Sequence, residues 1–539
     1  MEAHLATLWE SFADAVGDRQ ALVCGERRRT WREFDDRASR LATAFEAVGL
    51  KMDSKVGQYL YNSNEYLESQ FAAFKLRAVP VNINYRYLDD ELLYLLENSD
   101  SEALLFHSSL AERVAHVMNR ASKIKLWVEV DADGDAIPGA VTYESLIASH
   151  EPAPRIQRSE RDVYMIYTGG TTGMPKGVLY EIGGLLQLCV HIGFVLSRLG
   201  EPPELADVSD CGEELWRDSE SVVSIPACPL MHGTGMWLGA MATLSVGGSV
   251  VTLEGRSLDA HELWRVAERE KADQIVIVGD SFSKPMLRAL EEARNAGRPY
   301  DLSCLKTLVS SGAMWTSEIK KQFLDWHAMT LYDVLGSSEG GIGAQITTRS
   351  NIGETASFSM NPTTKVFTED DREVLPGSGE SGMVAVSGVV PIGYYKDEVK
   401  SRATFKTIDG VRYSFPGDWG IVEADGTLTL LGRGSGCINT AGEKVYPEEV
   451  EVIVKQHPDV IDCLVVGMSD PDFGQRVTAV ASLNAGSETD EATLRDFVRE
   501  RLASYKVPKQ IVLAKEIQRA ANGKPDYTWA QKTIEEALA

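Results

Sequence analysis

The run Tyr167-Thr168-Gly169-Gly170-Thr171-Thr172-Gly173-Met174-Pro175-Lys176-Gly177 carries four glycines, three threonines and one lysine behind an apolar stretch. Glycines let backbone amides approach an anion, hydroxyls donate to it, and Lys176 adds a positive charge. That is the composition of a loop that wraps phosphate oxygens. It is not a Walker A loop, because Pro175 precedes the lysine and Gly177 stands where Ser or Thr would follow. Farther along, Leu335-Gly336-Ser337-Ser338-Glu339-Gly340 sets a carboxylate beside a hydroxyl, a pairing suited to Mg²⁺ and phosphate. Near the C-terminus, Asn522-Gly523-Lys524 presents an ammonium, a compact charge able to neutralise anions forced together.

The first run resembles the phosphate-loop signature of the adenylate-forming superfamily: acyl-CoA synthetases, luciferases and peptide-synthetase adenylation domains. The other motifs follow in that family's order over nearly the whole chain. Leu335 to Gly340 resembles Tyr-Gly-x-Thr-Glu, with Leu335 in place of Tyr and Ser338 in place of Thr. The resemblance implies that Glu339 binds Mg²⁺ and that Ser338 meets the α-phosphate. It also implies that Thr168, Gly169, Gly170, Thr171, Thr172, Gly173 and Lys176 hold ATP phosphates. Ser311-Gly312-Ala313 resembles the adenine-side segment, and Asp333 falls where a polar residue meets the adenine amino group. Tyr413-Ser414-Phe415-Pro416-Gly417-Asp418 resembles Tyr-x-Thr-Gly-Asp, so Asp418 is expected on the ribose hydroxyls, with Arg433 as a second ribose or phosphate contact. Lys524 is the expected adenylation catalyst, although the proline that opens its family signature is absent.

The implied reaction has two halves. A carboxylate attacks the α-phosphorus of ATP and pyrophosphate leaves; a thiol, that of coenzyme A, then displaces AMP. Family members use one site for both by rotating a small domain. The expected hinge is Ser435, where the family carries Asp or Lys, flanked by Gly434 and Gly436. Rotation would bring Gly442 and Glu443 to the CoA side. In Pro229-Leu230-Met231-His232-Gly233-Thr234-Gly235-Met236-Trp237, bulky apolar groups alternate with glycines, as an acyl pocket requires, and His232 is expected at its carboxylate end. No acidic residue there could receive an amino-acid ammonium. The overall pattern looks most like bacterial ligases for fatty acids and steroid side-chain carboxylates. An arylalkanoic acid, a carrier protein as acceptor, and a catalytically inert nucleotide-binding protein stay open as alternatives.

These residues need elements to hold them. Apolar spacing predicts helices over 31–48 and 66–76 and strands over 55–60 and 77–82. The runs 163–167, 275–278 and 305–309 read as buried strands of parallel sheets. Residues 197–221 are acidic and Pro-containing and read as a surface insertion, either a lid or a variable loop. After Gly420, a strand at 427–431 leads into the glycine-rich run 432–436; beyond it, strands at 461–466, 476–483 and 510–513 and helices at 447–455 and 491–502 outline a separate α+β unit. The fold expected is therefore a large α/β N-terminal domain (1–434), with parallel-sheet subdomains and a small β-barrel-like subdomain, and a small mobile α+β C-terminal domain (435–539).

Bulk properties fit that reading. The chain has 539 residues, 44% hydrophobic and 25% charged, enough for more than one core. A formal charge of −25 repels a nucleic-acid backbone, so the expected partners are small molecules: the acid, ATP and CoA. A homodimer is compatible with the family. Seven scattered cysteines without a C-x-x-C pair suit a reducing compartment. The N-terminus lacks a basic segment followed by an apolar one, and no apolar run reaches membrane-spanning length, so the expected location is the cytoplasm.

Overall fold

The computed structural model describes residues 2–170, 173–210, 214, 222–440, 443–470, 474–502, 504–520 and 523–538. Among them, four sheets organise the chain. The largest opens on Arg27–Thr30, antiparallel to Gln20–Cys24, and continues with parallel strands, Gln20–Cys24, Ser249–Thr252, Val223–Pro226, Gln274–Ile277, Thr307–Ser311 and Thr330–Ser337. Their centres are unbroken apolar runs such as Ile275-Val276-Ile277, all fully buried, as strands covered on both faces must be. A second, parallel sheet orders Val79–Asn82, Lys55–Tyr59, Ser101–His107, Leu126–Val130 and Val141–Thr142. Between the sheets, Trp9, Trp31, Phe34 and Phe71 pack ring to ring at 4.9–5.9 Å. The helix Trp31–Ala47 that carries two of them starts at a capping box, with Thr30 and Glu33 satisfying each other's backbone amides.

Beyond Thr330–Ser337 the large sheet turns antiparallel, through Gly340–Thr347, Ser357–Met360, Thr427–Arg433 and Asp418–Val422. These strands and their neighbours enclose a small core of Ile342, Val366, Val384, Val386, Val422 and Leu428. The barrel-like subdomain expected from the sequence is thus hydrogen-bonded into the main sheet.

Residues 163–167 correct one expectation. Val163–Gly170 does not join a parallel sheet; it pairs antiparallel with Gly173–Glu181, which in turn pairs with Gly393–Tyr394. The physical reason is the phosphate-loop run itself, too short for a crossover and so closing a hairpin. The acidic 197–221 segment is also less loose than a surface insertion implies. Among its described residues Val208 is fully buried, and Leu199 and Leu205 pack on the same core.

From Ile438 onward the strands belong to the fourth sheet, Glu443–Val445, Ile438–Thr440, Gly474–Leu483 and Val460–Asp470, with Gln510–Leu513 parallel to Gly474–Leu483. Helices Pro447–Lys455 and Glu491–Arg499 cover one core of this unit. A terminal helix, Tyr527–Leu538, which the apolar spacing did not reveal, seals another with Ala530 and Ile534. No helix among the described residues is long and apolar enough to cross a membrane.

Candidate active site

The phosphate-loop hairpin presents Thr168 opposite Lys176 in register. Thr171 and Thr172 lie outside the described residues, and of Gly169, Gly170 and Gly173 only the backbone is described. Lys176 Nζ stands 5.6 Å over the ring of Tyr394, and Lys400 Nζ stands 5.7 Å over the same ring. Tyr394 is on the third strand of that small sheet, opposite Val178. Its hydroxyl donates to Glu339 Oε1 at 2.8 Å. Glu339 and Ser338 occupy the tip of the hairpin formed by Thr330–Ser337 and Gly340–Thr347. Ser338 Oγ donates to Glu339 Oε2 at 3.1 Å, and Tyr180 donates to the Ser338 carbonyl at 2.9 Å. So the lysine of one hairpin and the carboxylate of the other are joined through Tyr394. The sequence reading passed over this tyrosine, whose only local signal is the pair Gly393-Tyr394 ahead of a capped helix.

Trp237 stacks edge-on against Tyr180 at 5.6 Å and donates to Tyr164 at 3.3 Å, linking the apolar segment to the same centre. That segment, Thr234–Met241, is a π-helix, in which the Ala242 amide donates to the Trp237 carbonyl. Gly235 and Gly239 let it pack on Pro229 and Pro226 so closely that a methyl would sit 2.4 Å and 2.7 Å from their atoms. Met236, Trp237 and Leu238 are all buried in it.

Ser311 ends its strand, and Gly312 follows at φ +88°. A methyl on Gly312 would fall 3.5 Å from Thr234 Oγ1 and 4.0 Å from Lys524 Cε. Lys524, on the C-terminal unit, therefore reaches the adenine-side loop next to the apolar segment. His232 lies in its field: burial first, then the charges of Lys524 and Arg86, lower the imidazole pKa to about 3, so it is neutral at physiological pH.

Asp333 is the neighbour of Ser310 in register, and its carboxylate has a buried cation beside it. Lys320, wholly buried, donates to Asp333 Oδ2 at 2.6 Å and to Gln345 Oε1 at 2.6 Å. Burial raises the Asp333 pKa, and the Lys320 ammonium opposes that rise. Lys320 was not among the residues expected at the site; on a helix, one buried lysine among exposed ones leaves no signature in sequence.

Asp418 is buried and pairs in register with Arg433, whose backbone alone is described. Gly434–Gly436, around Ser435, forms one 3₁₀ turn held by the Gly434 amide on the Gly417 carbonyl at 2.9 Å. Gly442 lies outside the described residues; Glu443 pairs with Thr440 on the small domain's sheet. In this arrangement, then, Gly523 and Lys524 of the C-terminal unit lie against the adenine-side wall among the described residues.

Among the described residues no three His, Cys, Asp or Glu side chains converge as a protein-only metal cage. Glu339, a carboxylate oriented by two hydroxyls, does fit Mg²⁺, which typically takes one or two carboxylates and completes its shell with water and phosphate oxygens.

Residues 9–395 match the AMP-binding enzyme family, and residues 449–524 match the AMP-binding enzyme C-terminal domain. A 3-oxocholest-4-en-26-oate–CoA ligase of Rhodococcus rhodochrous is 40% identical, over 98% of this chain and 96% of its own. A medium/long-chain-fatty-acid–CoA/3-oxocholest-4-en-26-oate–CoA ligase of Mycolicibacterium smegmatis is 39% identical, over 100% of this chain and 98% of its own. Among solved structures, an anthranilate CoA ligase, AuaEII, in complex with anthranoyl-AMP superposes with a TM-score of 0.85 at 21% identity, over 100% of both chains, a likeness of fold. The chain belongs to the AMP-binding enzyme family.

Proposed function

We infer that this protein is an ATP-dependent acid–CoA ligase that adenylates a hydrophobic carboxylic acid and passes the acyl group to the CoA thiol. The observation that carries the reading is Lys524, seated at Gly312 and Thr234 within the field of His232. An ammonium there faces the place where carboxylate and α-phosphate, both anions, must meet. Lys176, held over Tyr394, supplies charge for the departing pyrophosphate. Thr168 and the loop amides orient the phosphates, Ser338 adds a hydroxyl, Ser311, Gly312 and Ala313 flank the adenine, and Asp418 with Arg433 holds the ribose. Glu339 would hold Mg²⁺, which when bound offsets phosphate charge. Neutral His232 closes the carboxylate end of the acyl pocket without adding charge that would trap the substrate anion.

The acid we propose is a fatty acid or a steroid side-chain carboxylate. The relatives' names support it, and so do Met236, Trp237 and Leu238 in the π-helix, an apolar wall of flexible and flat groups. For the second half-reaction we propose rotation about Ser435, which withdraws Lys524 and brings Gly442 and Glu443 to a pantetheine tunnel. Residues 1–434 and 435–539 are the bodies that would move.

The test is pyrophosphate release with ATP, Mg²⁺ and a panel of fatty, steroid and arylalkanoic acids, with CoA, with a carrier protein, and with neither. Release with long fatty or steroid acids and product only with CoA, both lost in Lys524→Ala, is the expected result. Product on the carrier alone, or no release with any acid, overturns the reading.

A further inference from the structure

The helix Gly279–Asn295 touches both halves of the site. At its start the Gly279 amide donates to Ser310 Oγ at 2.9 Å, and Asp280 accepts from the Thr316 amide and hydroxyl, each at 3.0 Å. It is thereby fixed to the loop that follows Gly312. One turn on, Lys284 faces the C-terminal unit, where its ammonium donates to the carbonyl of Ile461. Asp280 lies 3.9 Å from the same ammonium. Burial lowers the Lys284 pKa, opposed by Asp280 and Asp462, so the charge has been drawn out of water to make this contact.

The residue after Ile461 is Asp462, whose carboxylate takes a bidentate pair of bonds from Arg519 at 2.6 and 2.8 Å and lies 3.1 Å from Lys455. Burial disfavours its charge, but Lys455 and Arg519 outweigh that and hold its carboxyl well below the usual range. Arg519 Nη1 then donates to the Gly523 carbonyl at 3.1 Å, and the Ala520 amide to the Lys524 carbonyl at 2.9 Å. Gly523 itself, at φ +71°, lies under the helix start, where a methyl would come within 2.6 Å of Ser281 Oγ. The path from Lys284 to Lys524 is thus continuous: Ile461 carbonyl, Asp462, Arg519, Gly523.

We propose that Lys284 is a positioning residue specific to the adenylation half-reaction: it docks the Asp462–Arg519 pair, and through it the loop of Lys524, on the adenine-side wall. The proposal rests on the ligase reading above. It requires that the contact break when the small domain turns, so the thioester half-reaction owes nothing to Lys284.

The experiment measures the halves separately in the full chain for wild type, Lys284→Ala and Lys284→Arg. Adenylation is followed by acid-dependent ATP–pyrophosphate exchange, and thioester formation by adding CoA to supplied acyl-adenylate. Lys284→Ala is expected to lose about tenfold in exchange kcat with little change in KM for ATP, as one positioning hydrogen bond would give. Its thioester rate should equal or exceed wild type, and Lys284→Arg, which keeps the donor, should recover most of the exchange. Equal loss in both halves marks a general structural role and overturns the proposal, as does unaltered exchange in Lys284→Ala. A wild type inert with every acid would instead refute the ligase reading, which the supplied-adenylate arm separates from this one.

Discussion

Lys320→Met removes the ammonium beside Asp333 while keeping the apolar stem packed on Trp315, over whose ring the Lys320 Nζ stands at 5.3 Å. Asp333, 5% exposed, is then a buried carboxylate without its cation. Breaking such a pair by taking one partner costs about 3–5 kcal/mol, a large share of the roughly 5–15 kcal/mol that holds a domain folded. The sign with pH follows from the direction of the Asp333 shift. Its folded pKa already lies above the unfolded value because of burial, and losing Lys320 raises it further. Between those two values the folded state binds the extra proton, so stability falls as pH rises and recovers as pH falls. Urea unfolding of Lys320→Met should therefore show the full loss near pH 8 and a smaller one at mildly acidic pH. The double variant Lys320→Met/Asp333→Asn should regain most of it at both. A single variant within about 1 kcal/mol of wild type at pH 8 would refute the reasoning, since that is the scale of a solvated surface pair.

Other outcomes follow from the same contacts. Tyr394→Phe keeps the ring under Lys176 but removes the hydroxyl on Glu339, a bond to a charged group worth about 1.5–3 kcal/mol; exchange kcat/KM for ATP should fall roughly ten- to hundredfold, while thioester formation from supplied adenylate is unaltered. His232 is held neutral with its pKa near 3, below the unfolded value of 6.5, so its burial costs nothing above that value and destabilises progressively as pH drops towards 3; in acid unfolding, His232→Gln should resist acidification below pH about 6.5 better than wild type. Gly279→Ala, at φ +54° with a methyl 2.3 Å from the Met314 carbonyl, should lower the unfolding midpoint and detach the adenine-side loop, read as weaker ATP binding by calorimetry.

The sequence carried the parallel core and the C-terminal unit well, because buried strands such as Gln274–Ile277 and helices such as Pro447–Lys455 have the composition their burial requires. It misjudged 163–167, where an apolar run reads alike in parallel and antiparallel sheets and only the partner strand decides. Among the residues that the fold brings near one another, Glu339, Lys176, Lys524 and Gly312 stand in motifs that the sequence displays. Tyr394, Lys320, Lys284 and Arg519 were not given roles, since each acts through a contact across at least one other element and nothing in its neighbours along the chain announces that contact. Asp333 stands in a motif as well, and what the motif does not announce is its buried partner Lys320.

The π-helix at Thr234–Met241 has a consequence for how such a chain could change its diet. A π turn holds about one residue more than an α turn, so deleting a single residue within it would restore regular winding with the turns on either side nearly in phase, and would re-aim only the side chains inside the segment. Met236, Trp237 and Leu238 would be re-aimed in the wall we propose for the acid, while Lys176, Glu339 and Lys524, on other elements, stayed where they are. Selectivity can therefore be redrawn by length rather than by substitution, in one step that leaves the phosphate chemistry alone.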